Sequence, residues 1–84
     1  MPMILLGKES KLTTTEVLET AIKYFGPDGL GLDVSHWDAA HVQLQGGGGY
    51  VTVRANAPRN GSLTNVEVES REWERDAERF LGEI

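Results

Sequence analysis

Between residues 30 and 69 the chain carries four short runs in which apolar and polar residues alternate strictly. Leu30, Leu32 and Val34 alternate with Gly31, Asp33 and Ser35. Val42 and Leu44 alternate with His41, Gln43 and Gln45. Val51, Val53 and Ala55 alternate with Tyr50, Thr52, Arg54 and Asn56. Val66 and Val68 alternate with Asn65, Glu67 and Glu69. Successive side chains of a strand point to opposite faces, so each run predicts a strand with one buried face and one wetted face. The breaks between runs carry turn chemistry: Asp38-Ala39, the tetraglycine Gly46-Gly47-Gly48-Gly49, and Pro58-Arg59-Asn60-Gly61.

Helical patterns flank these strands. Thr13 and Glu16 have the spacing of a capping box, with Leu12 and Val17 placed as a hydrophobic staple. Val17, Leu18, Ala21, Ile22 and Phe25 then form one apolar stripe. Gly26 is expected to stop this helix in the left-handed region, and Pro27 forbids its continuation. A second helix is expected from Ser70 as N-cap, with Trp73, Ala77, Phe80, Leu81 and Ile84 on one face. Before the first helix, Met3 to Gly7 or Lys8 reads as a short strand.

Two amphipathic helices need apolar cover, and the alternating strands offer one apolar face. The arrangement that satisfies both is a two-layer α+β domain spanning residues 1–84, with about five antiparallel strands and both helices on one side. Eighty-four residues suffice for one domain with a thin core. Apolar residues at 39% and charged residues at 25% argue for a folded chain rather than a disordered one. The absence of cysteine removes disulfides and thiolate zinc sites. Thirteen acids against eight Lys and Arg, a net charge of −5, disfavour nucleic acid as a partner. The apolar start Met3-Ile4-Leu5-Leu6 is too short for a signal or membrane-spanning segment. The default expectation is therefore a cytoplasmic protein without a membrane partner.

A one-residue slip would turn the valines into water, so the pattern also constrains register. Leu44 must face Val51, and Val42 must face Val53, which sets His41 opposite Arg54 on the wet face. Ala55 opposite Val66 would then set Arg54 opposite Glu67. The alternative, Val53 opposite Val66, brings Asn65 to Arg54. The first is preferred because unlike charges attract across strands. The expected site candidate is a face carrying Trp37, His41, Tyr50, Arg54 and Glu67, with the row His41–Arg54–Glu67 at its centre. An ordinary solvated face with a cross-strand ion pair is the simpler account of the row. A proton-transfer or anion-recognition group is the alternative.

The element order β-α-β-β-β-β-α resembles the two-layer fold of TATA-binding-protein half-domains. It is also similar to the core of helix-grip domains, which include START-like ligand binders. These resemblances rest on element order over nearly the whole chain and on no diagnostic motif. The first implies a sheet surface that reads DNA, but this wet face has only Arg54 as a basic strand residue. The second implies a groove between sheet and C-terminal helix for a small apolar or amphipathic molecule, lined here by Phe25, Trp73, Phe80 and Leu81.

Other chemistry is thinly represented. His36 and His41 bracket Trp37-Asp38-Ala39-Ala40, but unbroken alternation from Val34 to Val42 would project the two histidines to opposite faces. No metal site is expected, and His36 reads as a partly buried residue in phase with the core. The tetraglycine leads into a strand rather than a helix, so it is not a phosphate loop. Asn60-Gly61-Ser62 matches a glycosylation acceptor but reads as a turn without a secretory signal. No catalytic residue, cofactor or metal is assigned. An enzyme would have to use His41 as base. The functional expectation is a non-catalytic module that binds a protein partner or a second copy of itself through the open sheet face. The alternative is a binder of a small molecule in the groove.

Overall fold

The computed structural model describes residues 3–58 and 63–84. Its elements are β1 (Ile4–Ser10), α1 (Thr14–Phe25), β2 (Asp33–Trp37), β3 (His41–Gly46), β4 (Gly49–Asn56), β5 (Thr64–Arg71) and α2 (Glu74–Glu83). The strands form one antiparallel sheet in the order β1-β5-β4-β3-β2. The expected α+β architecture is thus present. Residues 59–62, which hold most of the expected third turn and the Asn60-Gly61-Ser62 motif, lie outside the described residues.

Both helices cover the same side. α1 packs on β3 and β4, and α2 packs on β5 and β1. Val42, Leu44, Val51, Val53, Ala55, Val66 and Val68 point into this layer, where Val17, Leu18, Ala21 and Phe25 of α1 and Ala77, Phe80 and Leu81 of α2 meet them. Thr13 begins α1 with the expected capping box: its hydroxyl accepts from the Glu16 amide at 3.1 Å, and the Glu16 carboxylate accepts from the Thr13 amide at 2.9 Å.

The β3–β4 register is the one expected from the valines, and β4–β5 adopts the preferred alternative, with Arg54 opposite Glu67. The β3–β4 hairpin closes through Gly47 and Gly48 at φ 60° and 83°, the two left-handed central residues of a type I′ turn. Gly46 and Gly49 pair across its base. A side chain at Gly49 would run into the backbone of Arg71, so this glycine is needed for close approach.

Four expectations are corrected. First, β1 runs to Ser10 rather than ending at Gly7 or Lys8. Its final inward positions are polar, which hid them from an apolar pattern. Lys8 donates to the Leu81 carbonyl at 2.6 Å, and Ser10 donates to the Ile84 carbonyl at 2.9 Å. They serve the C-terminal end of α2, whose last turn has no basic residue of its own.

Second, Ser70 is not a helix cap. It continues the inward series of β5, fully buried, and is paired with Ile4 on one side and Val51 on the other. The helix starts only after Glu72, which takes the left-handed conformation at φ 75°, with Trp73 as N-cap. Third, Gly26 ends α1 in an extended conformation, φ −75° and ψ −165°, not a left-handed one. Its amide still donates to the Ile22 carbonyl, and a β-carbon there would collide with that same carbonyl.

Fourth, the expected strand around Leu30 begins at Asp33, and it contains a bulge between Val34 and His36. Leu32 is buried just ahead of it, while every residue of β2 is exposed. The bulge inserts one residue and so reverses the alternation beyond it.

Candidate functional site

The face of the sheet opposite the helices forms an open trough. Its floor includes His41 and Gln43 of β3, Tyr50, Thr52 and Arg54 of β4, and Asn65, Glu67 and Glu69 of β5. Alternation puts these side chains together, because each belongs to the polar half of its strand. Thr52, on the central strand, is only 6% exposed despite lying on this face, so its neighbours rise around it.

The row His41–Arg54–Glu67 exists as backbone register, but its side chains bond differently from the expectation. Arg54 reaches diagonally to Glu69, with Nη2 at 3.2 Å from Oε1. The Tyr50 hydroxyl donates to the other oxygen of Glu69 at 2.6 Å. Glu69 pairs with Thr52 and therefore lies diagonally between Tyr50 and Arg54, within reach of both long side chains. Direct cross-strand opposition does not mark Glu69, whose partners both lie on a diagonal.

This bonding moves the ionisation of both partners. The Tyr50 hydroxyl bond, followed by the Arg54 bond, holds the Glu69 carboxyl below its ordinary value. The same bond to Glu69, with some desolvation, raises the Tyr50 phenol. A depressed carboxyl contributes stability above its unfolded pKa and loses it as the pH falls through the folded one. A raised phenol contributes below its unfolded pKa and loses that contribution as the pH rises through the folded value. Tyr50→Phe is accordingly expected to move the Glu69 carboxyl midpoint upward in an NMR titration. A midpoint that stays in place would show that the bond is unpopulated in solution.

The bulge in β2 changes the histidine end of the face. His36 pairs with Gln43, and Trp37 pairs with Val42. His36 therefore belongs to the wet face, not to the core. Trp37 falls on the helix-bearing side, beyond the reach of the helices, and is 57% exposed. The expected grouping of Trp37 with His41, Tyr50, Arg54 and Glu67 is corrected on this point: those four share the face and Trp37 does not. The expected projection of His36 and His41 to opposite faces is corrected as well. Their rings stack, with centroids 4.7 Å apart and planes at 21°.

The Asp38 carboxylate stands at the edges of the two rings, with a different oxygen near a nitrogen of each. One carboxylate oxygen accepts from the Ala40 amide at 2.8 Å and the His41 amide at 3.0 Å, closing the β2–β3 turn. The other lies 3.2 Å from His36 Nε2, and His41 Nδ1 is 3.2 Å from the first. The Ala40 amide bond, then the His36 and His41 bonds, lower the Asp38 carboxyl from 3.8 to about 2.

The residues expected to line a ligand groove are arranged as core. Phe25 and Phe80 are fully buried, with ring centroids 5.4 Å apart, and Leu81 is buried beside them. Trp73 is half-buried and donates from its indole nitrogen to the Gly46 carbonyl at 2.9 Å, tying α2 to the tetraglycine hairpin. The space between sheet and α2 thus holds these side chains. Among the described residues, no helix is long and apolar enough to cross a membrane.

Comparison with protein-family models, with curated proteins and with solved structures finds no match to this chain. The resemblance to TATA-binding-protein-like and helix-grip domains therefore rests on element order alone.

Proposed function

We propose that this chain is a non-catalytic interaction module that docks a protein chain, a second copy of itself in the first instance, on the uncovered face of its sheet. The observation that carries this reading is that both helices lie on one side, leaving the face of His41, Tyr50, Arg54 and Glu67 without an internal cover among the described residues. A thin-cored domain gains burial by covering such a face with a symmetric partner. The Tyr50–Glu69–Arg54 bonds hold three polar side chains in place before any partner arrives, which reduces the ordering cost of docking. The outer edge of β2 adds unpaired backbone groups and the exposed side chains of Val34 and Trp37, the usual features of an edge able to accept another strand.

The test is self-association measured by sedimentation over a wide concentration range, repeated with Arg54→Glu. That substitution sets a third acid beside Glu67 and Glu69 and is expected to weaken association while leaving the circular-dichroism spectrum unchanged. A chain that stays monomeric at every concentration, and from which affinity capture recovers no partner sensitive to Arg54→Glu, would overturn the proposal.

A further inference from the structure

The β2–β3 hairpin gathers His36, Asp38 and His41, with one donor atom from each within 4.8 Å of the others. We infer that these three residues form a binding site for a single divalent transition-metal ion of the Zn²⁺ type, with two imidazole nitrogens and one carboxylate as ligands.

The geometry comes from two local features. The bulge between Val34 and His36 turns His36 onto the face that carries His41. The turn amides of Ala40 and His41 hold the Asp38 carboxylate beside both rings. These amides act as an orienting outer shell, of the kind that holds carboxylate ligands in metal proteins. Each imidazole already has a nitrogen 3.2 Å from one oxygen of that carboxylate.

Bonds of about 2.0–2.1 Å in a tetrahedral site set neighbouring donor atoms ~3.3 Å apart. With one carboxylate oxygen as donor, one histidine–carboxylate separation of 3.2 Å already matches that spacing, from His36 Nε2 to Oδ2 or from His41 Nδ1 to Oδ1. The widest donor separation, at most 4.8 Å, must close by no more than ~1.5 Å. His36 and Asp38 have side chains 53% and 48% exposed, so solvent-side rotation can supply this without disturbing the core.

The donor set selects the ion. Imidazole suits Zn²⁺, Cu²⁺ and Ni²⁺, whereas Mg²⁺ and Ca²⁺ require oxygen ligands. Three protein ligands leave a coordination position open to water or to a group from another molecule. That position borders the trough, since His41 lies directly opposite Arg54. The site stands on two exposed hairpin residues and the half-buried His41, none of them in the valine core, so its ion adds to a fold already complete.

The experiment is calorimetric titration of the whole chain with Zn²⁺. One ion per chain is expected, with His36→Ala and His41→Ala each weakening binding on the order of 100-fold or more, above the cost of losing an outer-shell partner alone. Gln45→Ala, further along β3, is expected to bind as the parent does. Trp37, between His36 and Asp38 in sequence, gives a second readout: Cu²⁺ is expected to quench its emission in the parent but not in His41→Ala. Absence of Zn²⁺ binding, binding retained in both histidine variants, or quenching that persists in His41→Ala would each overturn the inference.

Discussion

Phe80→Ala is expected to lower the unfolding free energy by about 3–5 kcal/mol, the range for emptying a buried aromatic site. Phe80 is fully buried, and its ring lies 5.4 Å from Phe25 of α1 and 6.0 Å from Tyr24. It is therefore a contact through which α2 touches both the sheet layer and α1. Small domains hold only about 5–15 kcal/mol in total, so the variant should lose a large share of its stability. Urea denaturation followed by far-UV circular dichroism measures this directly. Trp37→Ala, at a 57% exposed position, serves as the reference and should change stability by about 0.5 kcal/mol or less. A Phe80→Ala midpoint equal to that of Trp37→Ala would mean that α2 is not docked as described.

Gly47→Val is expected to cost roughly 2–5 kcal/mol, while its neighbour Gly48→Asn should cost about 1 kcal/mol or less. The two positions are indistinguishable as letters in a tetraglycine. At Gly47, φ is 60° and an added β-carbon would lie 2.7 Å from Cζ2 of Trp73, so a branched residue meets both backbone strain and a fixed aromatic wall. At Gly48, φ is 83° and nothing lies within 4 Å, so an asparagine, which tolerates left-handed backbone, should fit. Comparable losses in the two variants would place the penalty in the turn alone and remove the role given to Trp73. Indole fluorescence distinguishes the cases further, because displacement of Trp73 from the hairpin should shift its emission only in Gly47→Val.

The metal site and the docking face share His41, but separate measurements test them. The first concerns three side chains at one end of the sheet, and the second concerns the uncovered face as a whole. Zn²⁺ binding by a monomeric chain would support the first and not the second. Self-association insensitive to metal would do the reverse.

Much of the fold was written in local pattern. Alternation around Val42, Val51, Val53, Val66 and Val68 determined strand identity and buried face, because successive side chains of a pleated strand point to opposite faces whatever surrounds it. Between β4 and β5 it left two registers open. The capping box of Thr13 and Glu16 was equally local. Two other features depended on distant contacts. Lys8 and Ser10 point inward because the carbonyl ends of α2 need donors there, and Ser70 stays in a strand because β1 and β4 both pair with β5 at that level.

For the candidate sites, the sequence by itself determined which residues of the central strands share a face, since that follows from period two alone. Only the tertiary structure decided which of them touch. Glu69 captures Arg54 and Tyr50 across a diagonal that side-chain length permits and linear order does not mark. One inserted residue in β2 brings His36 to His41 and sends Trp37 to the other side. A bulge costs little at a sheet edge and leaves no required signature in composition, so the meeting of those two imidazoles around Asp38 belongs to the folded chain and not to its pattern.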